Sequence, residues 1–263
     1  MPVSVDERGA AAASIPAPTA AEKAVADALP IEVSAEAAQA AIESVPLWFH
    51  TFSLNGGQIY THGVARDHRY RLPFFPEDLA GKSVLDVGAF DGFYAFLAES
   101  RGATRVVAVD NEQYRDWVKA RWGVELEGGE GFRTIARLLE SDVEYRKLDA
   151  FELDELGERF DLILCFGILH RVENPLGLLS ILRRRLEPGG EVLRLVRRAA
   201  ADHQLMAGAR PGLRERRRQR SRAQNADSHR RSPLSVRWFV AVTVGRALRT
   251  DRCVSRLRRW AAG

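Results

Sequence analysis

Between Val84 and Phe96 the chain reads VLDVGAFDGFYAF. An apolar strand, a glycine-bearing turn and an aromatic helix in that order form the layout of a nucleotide-binding loop. The dinucleotide version needs three glycines, G-x-G-x-x-G, so that a pyrophosphate can approach the helix N-terminus. From Gly88 the run here is G-A-F-D-G. Phe90 replaces the middle glycine, and Asp91 puts a carboxylate where a phosphate would want amide donors. Like charges repel, so this loop disfavours phosphate and tolerates a neutral or cationic head.

S-adenosylmethionine meets that requirement. Its sulfonium and amino groups are positive and it carries no phosphate. Two further acids fall at the expected places. Asp110 ends RVVAVD, 22 residues after Gly88. That is close to the roughly 20-residue spacing at which a strand-end acid takes ribose hydroxyls. Asp149, Ala150 and Phe151 follow the next strand, where an acid takes adenine's exocyclic amine and an aromatic ring covers its face. FGILHRVENPLGLL then marks a strand edge, where ligands of open α/β sheets bind.

These residues need a scaffold, and the pattern from Lys82 onward supplies one. SVLDVG, RVVAVD, VEYRKLD, FDLILCFGIL and EVLRLV read as strands, with helices between them. DGFYAFLAESRG is a helix capped by Asp91, with Phe93, Phe96 and Leu97 on one face. QYRDWVKARWG is a helix ending at Gly123. GFRTIARLLES is a third helix, and NPLGLLSILRRRLEPGG a helix stopping at Pro188-Gly189-Gly190. Alternation of this kind predicts an α/β fold with a doubly wound, mostly parallel sheet.

The flanks differ from this core. Residues 1–45 are rich in Ala with scattered Pro, which predicts disorder apart from a helix near Ser34 to Ser44. Residues 46–81 read as a lid segment. Asn55-Gly56-Gly57 predicts a hairpin between TFSL and QIYT, and the prolines at 73 and 76 predict an extended linker. Trp48 and Phe49 are expected to pack within this lid. Residues 82–196 form the expected cofactor-binding core.

The net charge of +4 conceals an asymmetry. Residues 194–263 hold nineteen Arg, no Lys and four acids, a balance of +15, whereas residues 1–193 carry −11. An acidic domain therefore carries a basic, low-complexity tail, 197–263. Such a tail can meet RNA through phosphates. SVRWFVAVTVGRAL within it reads as one strand or a short helix. The loss of hydrophobic period at Val196 points to a shifted reading frame or a truncated and extended gene.

Cys165 and Cys253 offer neither a disulfide framework nor metal-ligand spacing, and Cys165 in LILCF reads as a buried small hydrophobe. No metal site is expected. Arg183-Arg184-Arg185 reads as a solvated helix end. No apolar run approaches the roughly 18 residues of a membrane span, and no secretory signal is visible. A cytoplasmic protein without membrane contact is the expectation.

The ordered set LDVGAFDG, VVAVD, KLDAF and FDLILCFGILHRVENPLGLL resembles class I S-adenosylmethionine-dependent methyltransferases. WFHTFSLNGG, DGFYAF and GILHRVENPL are most similar to the group containing the bacterial tRNA wobble-uridine carboxymethyltransferase. The resemblance covers roughly Pro46 to Val196. It implies that Gly88 and Ala89 approach the methionine part of the cofactor. Asp86 would bind its amino group through water, Asp110 the ribose, and Asp149, Ala150 and Phe151 the adenine, with Asn111 also among the cofactor-binding residues. Phe90, Asp91 and Gly92 complete the loop, and Phe166 and Gly167 to Leu169 line the methyl-donor side. Leu169-His170-Arg171 stands where relatives commonly read Leu-Tyr-His. The acidic core offers no basic cleft for a carboxylated cofactor, so ordinary S-adenosylmethionine is expected. Relatives finish the sheet with an antiparallel hairpin, which the tail does not suggest.

Methyl transfer to a hydroxyl of a small molecule follows as the expected reaction, with in-line displacement at the sulfonium carbon. His170 and His50 are the candidate bases. Modification of a tRNA wobble uridine is the second expectation. The third is a protein that binds the cofactor but turns over poorly.

Overall fold

The computed structural model describes residues 15–65, 68–197 and 238–244. A six-stranded sheet runs through them in the order β6-β5-β4-β7-β8-β9. The strands are β4 (Ser83–Val87), β5 (Arg105–Asp110), β6 (Glu144–Lys147), β7 (Phe160–Phe166), β8 (Leu186–Arg197) and β9 (Trp238–Val244). All neighbours pair in parallel except β8 and β9. The chain lays β4, β5 and β6 outward to one side, then returns to lay β7 and β8 on the other. That reversal beside β4 creates the crevice at the C-terminal strand ends where such sheets bind ligands.

Period-2 alternation sends β4 side chains into two cores. Val84 packs into one layer with α3 (Phe93–Ser100) and α5 (Glu130–Leu139). Leu85 and Val87 pack into the other with Leu178, Ile181 and Leu182 of α6 (Pro175–Arg184). Burial of both faces explains the continuous apolar runs of β4, β5 and β7. At α6, Pro175 opens the helix and the Asn174 side chain accepts from the Gly177 amide at 2.9 Å. Loss of such a cap costs about 1 kcal/mol. The helix α4 (Tyr114–Trp122) ends on Gly123 in the left-handed region.

Residues 15–45 form α1 (Ala20–Ala26), β1 (Pro30–Ile31) and α2 (Ala35–Ser44). α2 is the helix expected near Ser34 to Ser44, whereas α1 and β1 depart from the expected disorder. Thr19 and Glu22 make a reciprocal capping box at α1. Val25, Leu29, Ile31 and Ala38 are buried in one cluster with Trp48, Phe52, Phe93 and Phe96. The physical reason lies in α3. Every residue from Phe93 to Ala98 is buried, so this helix has no solvent face and needs a cover on its second side. The N-terminal residues belong to the cluster that encloses it.

The lid hairpin forms as expected. β2 (Ser53–Leu54) pairs antiparallel with β3 (Ile59–Tyr60), and β1 adds in parallel. Asn55, Gly56 and Gly57 turn the chain with positive φ. The proline-flanked stretch is not extended. Leu72–Phe74 makes a 3-10 turn after Arg71.

Two boundaries after β7 also differ. α6 ends at Arg184, not at Pro188-Gly189-Gly190, because Leu186 already pairs with Phe160. A register shift between Phe160 and Leu162 absorbs the Glu187–Gly190 interruption. Beyond β8, the sheet gains an antiparallel partner that the sequence did not suggest. Trp238–Val244 runs beside Glu191–Arg197, consistent with the alternative reading of SVRWFVAVTVGRAL as a strand. The rest of the Arg-rich tail, with the expectations attached to it, lies outside the described residues. Among those residues, no helix is long and apolar enough to cross a membrane.

Candidate cofactor site

The expected acids converge at the C-terminal ends of β4, β5 and β6. Gly88 and Ala89 donate their amides to Val109 O at 2.8 and 3.1 Å, which binds the loop after β4 to β5. The Phe90 amide donates to Asp110 Oδ2 at 2.9 Å, and the Glu112 amide to Asp110 Oδ1 at 2.8 Å. Both oxygens are thus oriented while lone pairs remain for a ligand. Burial raises the Asp110 carboxyl above its ordinary value, and the two amides oppose that shift.

Next door, Asn111 Nδ2 donates to Asp149 Oδ2 at 2.7 Å, joining the ends of β5 and β6. The Phe151 amide donates to Asp149 Oδ1 at 2.8 Å, and the Phe151 ring is exposed beside half-buried Ala150.

Asp86 is 4% exposed at the end of β4. Burial pushes its carboxyl up to about 7, against the opposing effect of Arg71 and the Ala95 amide. A buried carboxyl in this state favours a cationic partner. Arg71 is the residue that the sequence reading missed. Its guanidinium is buried, with Cζ 5.8 Å from the Tyr94 ring and 5.5 Å from the Phe166 ring. A Cβ on Gly167 would lie 3.7 Å from Arg71 Nη2 and 3.9 Å from His170 Cε1. A basic group therefore does stand in the acidic core. Tyr94 and Phe166 meet edge to face at 4.9 Å, and His68 Nδ1 lies 3.2 Å from the Tyr94 hydroxyl. Local signals for Arg71 were absent, because it approaches Phe166 from 95 positions earlier in the chain.

Other expected site residues pack closely against neighbouring side chains. Gly92 faces Phe132 of α5, where a Cβ would come within 2.5 Å of Cδ2. Gly88 has its open side against Ile168, whose Cδ1 a Cβ would meet at 2.3 Å. Phe90, at φ +53, is sandwiched between Phe49 (ring centroids 4.5 Å) and Tyr114 (3.7 Å). Left-handed φ at a bulky residue is strained by about 1–3 kcal/mol, and this stack holds it there.

Asp91 does not cap α3. Gly92 occupies the cap position without a side-chain bond, and Asp91 turns to the lid instead. Asp91 Oδ2 accepts the Phe49 and His50 amides at 2.8 and 2.9 Å, and Oδ1 contacts His50 Nδ1. His50, a candidate base by sequence, is 3% exposed with that ring nitrogen engaged. His170 is exposed at the turn after β7. Trp48 is buried edge-on to Phe52 at 5.7 Å, a packing role as expected. Cys165 is fully buried, and burial pushes its thiol up to about 12.

Residues 60–234 match the methyltransferase domain family, and the chain belongs to that family. Its fold is the class I, S-adenosylmethionine-dependent one implied by the sequence resemblance. It is 33% identical over 115 residues to a tRNA U34 carboxymethyltransferase of Campylobacter hominis, covering 44% of this chain and 36% of that protein. It is 36% identical over 119 residues to a ubiquinone biosynthesis O-methyltransferase of Pseudomonas entomophila, covering 43% and 44%. The chain thus spans less than half the length of these curated relatives. Among solved structures, it is similar to the YcgJ protein of Bacillus subtilis at 20% identity, with 51% of each chain covered and a TM-score of 0.39.

Proposed function

We propose that this chain transfers the methyl group of S-adenosylmethionine to a hydroxyl of a small-molecule acceptor. The observation that carries the reading is one sheet edge holding buried Asp86, buried Arg71 and the doubly oriented Asp110. This donor set fits the cofactor. Asp86 would take the ammonium, Arg71 the carboxylate and Asp110 the ribose hydroxyls. Asn111, Asp149, Ala150 and Phe151 would hold the adenine.

Bound S-adenosylmethionine supplies an electrophilic methyl group on a cationic sulfur that leaves readily. The chain's own residues then work by alignment. Phe166 and Gly167 to Leu169 border the donor side, and Tyr94 with Phe166 keeps Arg71 in place. His170, exposed near Gly167, takes the acceptor's proton when the hydroxyl ionises. His50 is not carried forward as the base, since Asp91 engages its ring.

The hydroxyl acceptor draws support from the likeness to an O-methyltransferase. A second reading, modification of tRNA, draws support from the likeness to the tRNA U34 carboxymethyltransferase and from nineteen Arg in residues 194–263. Incubation with methyl-labelled S-adenosylmethionine and either bulk tRNA or a small-molecule extract separates them. Label in the extract alone supports the first reading. Label in tRNA alone overturns it in favour of the second.

A further inference from the structure

Asp91 ties residues 49 and 50 to the loop after β4. Asp91 is 2% exposed, and its two oxygens receive the Phe49 amide, the His50 amide and the His50 ring, 41 and 42 positions earlier in the chain. From that point one route leads to Asp110. The Phe49 ring stacks on Phe90, which stacks on Tyr114 of α4. The Phe90 amide, held by this stack at positive φ, donates to Asp110 Oδ2. The Asp91 carboxylate faces the lid, and its partners occupy it there.

We propose that Asp91 is a positioning residue: it latches Phe49 and His50 of the lid onto the loop Gly88–Gly92, and so fixes the Phe90 amide that orients Asp110 for the cofactor's ribose. This inference rests on the proposed use of S-adenosylmethionine, and it gives Asp91 a role in place of the helix cap expected from the sequence. A carboxylate that touched the cofactor's ammonium would need its charge. A latch needs acceptors of the right shape. Asn at this position keeps one oxygen for the two amides and offers its NH2 to His50 Nδ1 in the complementary tautomer.

The two roles separate by titration of S-adenosylhomocysteine into the full-length protein. Wild-type binding first secures the underlying reading, and its absence would sink that reading before the latch is tested. With binding in hand, Asp91→Ala is expected to weaken affinity by about tenfold, and Asp91→Asn to stay within about threefold of wild type. Hydrogen exchange at the Phe49 and His50 amides should quicken in Asp91→Ala and stay slow in Asp91→Asn. Equal damage by both variants, or none by Asp91→Ala, overturns the proposal. Should Asp91→Ala fail to fold, Phe49→Leu cuts the stack and leaves the carboxylate intact. Weakened binding there supports the latch, and unchanged binding overturns it.

Discussion

The Phe90 amide donates to Asp110 Oδ2 at 2.9 Å, so the residue that breaks the three-glycine pattern helps to orient the strand-end acid. A glycine would reach the same φ without strain but would bring no ring to stack on Phe49 and Tyr114. The loop has exchanged backbone freedom for an aromatic clamp. The carboxylate at the end of β5 is thereby fixed.

Asp110→Ala should therefore weaken S-adenosylmethionine binding by about tenfold or more, since it removes a charged acceptor of hydroxyl groups. Isothermal titration checks this. Unchanged affinity would refute the ribose role.

Asp86 links the site to pH. Burial raises its carboxyl from 3.8 to about 7. The folded form holds its proton more tightly than the unfolded form, so stability is lost as pH rises between about 4 and 7. Asp86→Asn should then raise the melting temperature of the ligand-free protein at pH 8 and leave it nearly unchanged at pH 4. The same variant should bind S-adenosylmethionine more weakly. Wild-type binding at pH 6 should release a proton, visible as a dependence of binding enthalpy on buffer ionisation. No stabilisation at pH 8, or no proton release, would contradict the assignment.

Much of this arrangement was legible along the chain, because strands and their terminal acids are local features. The five parallel strands, the Asn55-Gly56-Gly57 turn and the Gly123 helix end follow from period and turn chemistry. What escaped depends on distant partners. Asp91 has the composition of a helix cap, yet amides more than 40 positions away claim it. Arg71 sits in a proline-flanked stretch with no period, and only folding brings it to Phe166. The first helix, α1, was masked by an Ala-rich composition, although Thr19-x-x-Glu22 is a capping box. An α3 apolar on all sides was the second sign that something must cover it.

Arg71 should recognise the amino-acid end of the cofactor and not its nucleoside. Arg71→Met is expected to weaken S-adenosylhomocysteine by about tenfold while leaving adenosine within about twofold. Competition binding with the two ligands reads this directly. Equal losses for both would assign Arg71 a purely structural role against Tyr94 and Phe166.

His170 should act on the acceptor alone. His170→Gln is expected to lower kcat by about 10²-fold and to flatten the rise of kcat with pH near neutrality, with S-adenosylmethionine affinity preserved. A wild-type pH profile in the variant would remove His170 from the chemistry.

The most direct test of the central claim is titration of the full-length protein with S-adenosylmethionine and, separately, with NAD. The donor set of Asp86, Arg71 and Asp110 predicts saturable binding of S-adenosylmethionine and none of NAD at the same concentrations. Tight NAD binding without S-adenosylmethionine binding would contradict the account.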